Sequence, residues 1–141
     1  MNADLACQHA FDRLAKAGFD ALNEKEKTLA TVWKLEAAVE NDGFHHYYYS
    51  SAAGDLAFHG PAALERIGAR HMAQVVVRAN AVFGPEGPSR DRKTREEQVR
   101  AFGAETRRTL ETLYVEFMES PDDTDALIEA YLSADPAAAR G

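Results

Sequence analysis

Two adjacent histidines, His45 and His46, lie between the stretch Asn41-Asp42-Gly43-Phe44 and the run Tyr47-Tyr48-Tyr49. With Glu36, Glu40 and His59 they supply residue types that bind transition metals. Their spacing argues against that chemistry. Helical metal motifs place both ligands on one face at i and i+4, whereas helix neighbours project about 100° apart. No metal is expected; one histidine is read as exposed and the other as hydrogen-bonded at the edge of an aromatic cluster. Ser50 and Ser51 lie nearby, but no GxSxG elbow presents them, and serines beside a turn commonly form the turn. Cys7 falls on an apolar helix face as inert packing, and as the single cysteine it excludes an internal disulfide and any CxxC motif. Neither GxGxxG nor GxxxxGK[ST] occurs, so no phosphate cradle and no cofactor is expected. An enzyme would have to use His45, His46 and Tyr47 around a pocket, and no catalytic signature accompanies them.

The remaining candidates are acids. The formal net charge of −7 is segmented: residues 1–60 carry nine acids and five bases, residues 61–110 six and ten, and residues 111–141 eight and one. The last segment holds Glu111, Glu116, Glu119, Asp122, Asp123, Asp125, Glu129 and Asp135, with Arg140 as its base. Carboxylates three or four residues apart on a helix sit about 5–6 Å from each other, close to the phosphate spacing along a DNA strand. Such a surface could occupy a basic groove. The plainer reading is a solvated helix face, with Asp122, Asp123 and Asp125 at a helix start and Arg107 partly neutralising Glu111 from four residues before. A net negative chain is repelled by phosphate backbones, so direct nucleic-acid binding is not expected.

The elements that must position these residues read as helical throughout. Cys7, Ala10, Phe11 and Leu14 form one stripe of period 3.6, stopped at Gly18. Asn23 with Glu26 three residues on forms a capping box, and Thr28, Val32, Leu35 and Val39 make the seam of a helix expected to end at Gly43. Phe44, Tyr47 and Tyr48 recur at i, i+3, i+4 and so share a core face. Ser50 to Asp55 reads as a turn. Pro61 opens a helix carrying Leu64, Ile67, Met72, Val75, Val76, Ala79 and Val82, with Gly68 as either a kink or a close helix contact. Gly84 to Ser89 is an internal linker, followed by the basic residues Arg90, Arg92, Lys93 and Arg95. A short helix with Val99 and Phe102, a helix with Leu110, Leu113, Tyr114, Phe117 and Met118, and a last one starting at Ser120-Pro121 and carrying Leu127, Ile128, Tyr131 and Leu132 complete the chain. No window alternates as a strand would, and no repeat is visible.

At 141 residues the chain suits one all-α, compact domain of six or seven helices over residues 1–141. The N-terminus lacks a secretory pattern and no run reaches the roughly 18 apolar residues that span a bilayer, so a cytoplasmic protein is expected.

From Glu36 to Ala69 the sequence resembles a bacterial domain family named after a DNA mimic protein, the Dmp-nineteen type. The residues that carry the resemblance are Asn41, Gly43 and Phe44, His46-Tyr47, Ser50-Ser51 before Gly54-Asp55, Ala63-Leu64, and Ile67-Gly68-Ala69. Leu113 to Tyr131, with Phe117 between, resembles the closing helices. Asp42 and His46 stand where the family commonly has Gly and Gln, and Tyr114 where an acid is usual. The resemblance implies an all-helical fold and, for function, a non-enzymatic mimic of DNA. The expected activity is therefore binding of a basic DNA-binding regulator or nucleoid-type protein through Glu116, Glu119, Asp122, Asp123, Asp125 and Glu129, with a second copy of the chain as another candidate partner. The alternative is an immunity or antitoxin-like protein that recognises its partner by shape and apolar contacts, with the acids as a rim.

Overall fold

A computed structural model describes residues 3–49 and 51–133. Ser50, the side chain of Ser51, Asp135 and Arg140 lie outside the described residues, and with them the serine hydroxyls weighed above. Among the described residues every regular element is helical: α1 Ala3–Ala17, α2 Glu24–Tyr49, α3 Ser51–Gly54, α4 Gly60–Arg66, α5 Arg70–Asn80, α6 Arg92–Arg100, α7 Ala104–Met118 and α8 Thr124–Ser133, with three short 3-10 turns. That is eight α-helices against the six or seven predicted.

The difference has local causes. The helix expected from Pro61 to Val82 is two helices, because Gly68 takes φ 86°. The N–H of Ala69 reaches the Leu64 carbonyl (2.9 Å) and that of Gly68 the Glu65 carbonyl (3.0 Å), the paired bonds of a Schellman closure, with buried Leu64 and Ala69 in the positions of its apolar contact. Gly68 therefore ends a helix rather than kinking a continuous one, and a Cβ there would meet Leu127 Cδ2 of α8 at 3.7 Å, an ordinary contact distance. The stretch expected to turn after Tyr49 holds the single turn α3 instead. The stop expected at Gly43 is found: Gly43 has φ 83° and ψ 175°, which ends the first helical segment of α2, and a second segment begins beyond it. Asn41 turns its side-chain amide back onto the Ala37 carbonyl one turn earlier (2.7 Å).

Helix α2 is central, in contact with α1, α3, α4, α6 and α7, while α8 packs on α1. It begins with the reciprocal capping box: Glu26 N–H to Asn23 Oδ1 at 2.8 Å and Asn23 N–H to Glu26 Oε1 at 3.0 Å. The seam Thr28, Val32, Leu35 and Val39 is buried, as are Phe44, Tyr47 and Tyr48. Phe44 meets Phe117 of α7 edge-on at 5.7 Å, and the Tyr48 hydroxyl donates to Asn80 Oδ1 at 2.6 Å. Tyr47 and Tyr48 are therefore packing, whereas Tyr49 is exposed and its hydroxyl accepts from Arg100 Nη2 at 2.8 Å. Two apolar expectations fail: Met118 is 47% exposed at the end of α7, and neither histidine joins the aromatic cluster, since His45 and His46 are both exposed and His46 only approaches Asp42 at 3.6 Å.

The side chain of Arg95 is fully buried. Its Nε donates to the Tyr48 carbonyl (2.8 Å), Nη1 to the Ser89 carbonyl (3.2 Å) and Nη2 to Asp55 Oδ1 (2.9 Å). A Cβ on Gly54 would lie 2.7 Å from both Arg95 Nε and the Tyr48 carbonyl oxygen, so only glycine fits beside this arrangement. Burial works against ionising Asp55, yet hydrogen bonds and charge from Arg92 and Arg95 outweigh it and hold its carboxyl below the usual range. Removing that carboxylate strands a buried cation. Asp55→Ala is expected to destabilise the protein by about 3–5 kcal/mol in urea denaturation, whereas Arg92→Ala, which removes the exposed partner of the same carboxylate, is expected to cost far less. Equal losses for the two variants would show that the buried guanidinium is not the constraint.

Candidate functional site

The six acids expected to bind a partner divide into two groups. Glu116 is engaged by Arg78 in a two-pronged pair (3.0 and 3.1 Å) that ties α7 to α5. Asp122 is also occupied: its Oδ2 accepts the Met72 N–H at 2.9 Å, in the third position of α5, so it caps another helix across the structure. The last helix does not start at Ser120-Pro121. It starts at Thr124, with Asp123 as its cap, accepting the Ala126 N–H through Oδ1 (3.2 Å). Ser120 instead accepts the Asp122 N–H at 3.2 Å and lies 2.8 Å from His71 Nδ1. Glu119, Asp123, Asp125 and Glu129 are exposed, and no cation among the described residues pairs with them.

The acidic surface extends where no contiguous stretch of sequence could show it. A cleft of about 390 Å³ between α1, α2 and α8 is lined by Asp4, Cys7, Glu36, Glu40, Thr124 and Asp125, among others. Glu36 sits partly buried at its base and accepts the Thr124 hydroxyl at 2.7 Å. Burial pushes its carboxyl up to about 7; the Thr124 bond opposes that shift, and Glu40, Asp125 and Asp123 add to it. The same environment, burial first and then the charges of Glu36, Asp4 and Asp125, lifts the Cys7 thiol to about 12, so this cysteine is inert at neutral pH. Glu36 and Glu40 had entered the sequence reading only as metal-ligand candidates. The signal that could have found their role is an i, i+4 acid pair beside the α2 seam with no lysine or arginine one turn away.

The Asn-x-Gly-Phe turn borders a different concavity. Gly43, Phe44, His45, Arg107, Glu111 and Tyr114 line a pocket of about 640 Å³. A Cβ at Gly43 would meet Tyr114 Cδ1 at 3.9 Å. Arg107 and Glu111 form no ion pair, contrary to the neutralisation expected of them. His46, on the exposed side, is outside this pocket, and Tyr47 is wholly buried, so His45, His46 and Tyr47 do not converge. Among the described residues no group of three or more His, Cys, Asp or Glu side chains is placed to hold a metal ion. No helix among them is long and apolar enough to cross a membrane.

Fold and surface together define an all-helical domain with carboxylates concentrated at the α1–α2–α8 end. The chain belongs to the DMP19-like protein family, whose model matches residues 20–135. No curated protein and no solved structure matches it.

The position of Glu36 sets a pH dependence. With a folded value near 7 against an ordinary carboxyl value of 4.5, the folded state retains a proton that the unfolded chain has released. Stability contributed here is present below the unfolded value and falls as pH rises from 4.5 through 7. Glu36→Gln is expected to flatten that slope and to raise stability at about pH 8 by on the order of 1–3 kcal/mol, with little gain at about pH 5. Urea denaturation at the two pH values measures it, and parallel pH dependence in variant and parent would exclude Glu36 as the source.

Proposed function

We propose that this protein is a non-enzymatic interaction protein that presents carboxylates, in place of phosphates, to the binding surface of a basic DNA-binding protein. The observation that carries this reading is the set of exposed acids Glu119, Asp123, Asp125 and Glu129, none in an ion pair among the described residues, of which Asp125 also lines the cleft with Asp4, Glu36 and Glu40. Electrostatic complementarity of this kind speeds encounter and selects partners by sign of charge, and it is screened by salt. Resemblance to a family named after a DNA mimic supports the same partner class. The corrections above narrow the contact set: Glu116 and Asp122 hold the fold together, so they contribute less than their charge implies.

A second reading has its own support. Val115 and Met118 are 49% and 47% exposed on α7, beside Glu111 and Glu119, which would suit a partner recognised by shape and apolar contact with acids at the rim. The two readings respond oppositely to salt. In a pull-down from native cytoplasm, the triple variant Glu119→Lys, Asp125→Lys, Glu129→Lys is expected to lose a partner that the parent retains at low salt and releases at high salt. Asp123 is left in place because it caps α8. Unchanged capture by the reversed protein would refute the proposal, and a salt-insensitive complex lost on Val115→Asp would assign the second reading instead.

A further inference from the structure

On an acidic protein, one small concavity gathers cations. It lies between the Phe19–Ala21 turn, α2 and α4, has a volume of about 140 Å³, and is lined by Phe19, Lys27, Thr31, His59 and Arg66 and by one carboxylate, Glu24, which is paired with Arg66. At roughly 30 Å³ per water-sized group it has room for four or five such groups, the heavy-atom count of a phosphate. Phe19 organises the wall: the His59 ring stacks on it at 4.7 Å between centroids, and Lys27 Nζ lies 5.4 Å from its centroid. Arg66 Nη1 reaches Thr28 Oγ1 at 3.3 Å and Glu24 Oε2 at 3.0 Å, which fixes its guanidinium at the mouth.

The unexplained group is Thr31. Helical threonine hydroxyls can bond back to the carbonyl four residues earlier, as Thr28 does to Glu24 at 2.9 Å. The Thr31 hydroxyl is buried without a partner among the described residues, although a buried polar atom ordinarily has one. We infer that this concavity is a binding site for a phosphate group, held by the Lys27 ammonium, the Thr31 hydroxyl and the His59 ring, with the Arg66 guanidinium, already paired with Glu24, beside them. Several donors of different type around a small space suit a compact oxyanion with acceptor oxygens on every side.

The charges around His59 agree. Burial and then Arg90, Lys27 and Arg66 disfavour its proton, against Asp20 alone. Arg90 itself lies over the Phe58 ring at 3.9 Å, on the next residue. An anion bound among these cations reverses the local sign, so phosphate should raise the His59 pKa.

The test is an NMR titration of the full chain with inorganic phosphate against chloride at equal ionic strength, following all the histidine rings. The expected result is an upward pKa shift at His59 that His9 does not share, at least a tenfold loss of affinity in Lys27→Met, and a several-fold loss in Thr31→Val with no fall in Tm. Phosphoserine as a second probe distinguishes sources: tighter binding than inorganic phosphate assigns a monoester, weaker binding the free ion. An unresponsive His59, the same shift in chloride, or full affinity in Thr31→Val would overturn the inference.

Discussion

The buried guanidinium of Arg95 joins three segments that sequence keeps far apart. It holds the end of α2 through the Tyr48 carbonyl, the turn after α3 through Asp55, and the loop entering α6 through the Ser89 carbonyl. Desolvating an arginine and a carboxylate costs about as much as their attraction returns, so the pair adds little net stability; its effect is on geometry. A planar fork with each of its nitrogens engaged admits few alternative arrangements. Gly54 follows from it, because any side chain there would intrude on the same oxygen and nitrogen atoms. So does the placement of Tyr48, whose ring packs against Phe44 and Phe83 while its carbonyl is held from outside the helix.

Helical period, capping and glycine punctuation are local, and the sequence displays them. The α2 seam, the Asn23–Glu26 box and the aromatic triplet are all found where spacing places them. What the sequence hides is long-range polar pairing. Arg95 reads as one more base in a solvated run, and only the fold shows that it points inward. Asp122 reads as a cap for the helix that follows it, yet it caps α5, fifty residues earlier in the chain. No local pattern distinguishes these from their exposed neighbours Arg92 and Asp123, because the chemistry is identical and only the topology differs. The candidate surface was legible in part for that reason: its exposed acids are visible in composition, whereas the members spent on the fold, and the α2 acids that join it, are not.

The charge segmentation seen along the chain changes meaning in three dimensions. Bases of the middle segment turn back onto acids: Arg66 to Glu24, Arg78 to Glu116, Arg92 and Arg95 to Asp55. Their charge is used locally, so it offsets little of the field at the α8 end. There Glu40, Asp125 and Asp123 stand close enough to Glu36 to add to the burial that raises its carboxyl. The net charge of −7 thus understates the contrast between the two ends of the molecule.

That contrast bears on how α8 is held. The helix fully buries only Thr124 and Ile128, adding partial burial of Leu127, Tyr131 and Leu132. It docks through a hydroxyl bonded to a carboxyl that burial first, and then Glu40 and the acids Asp125 and Asp123, push toward neutrality. An element with few buried apolar contacts and like charges beneath it belongs to the low end of a protein's local stabilities. Under the proposed function, a cationic partner that settles over Glu119, Asp125 and Glu129 relieves the repulsion as it binds. Binding and docking of α8 are then one linked equilibrium: the partner tightens the helix, and whatever tightens the helix without cancelling its charge presents the acids in a fixed array.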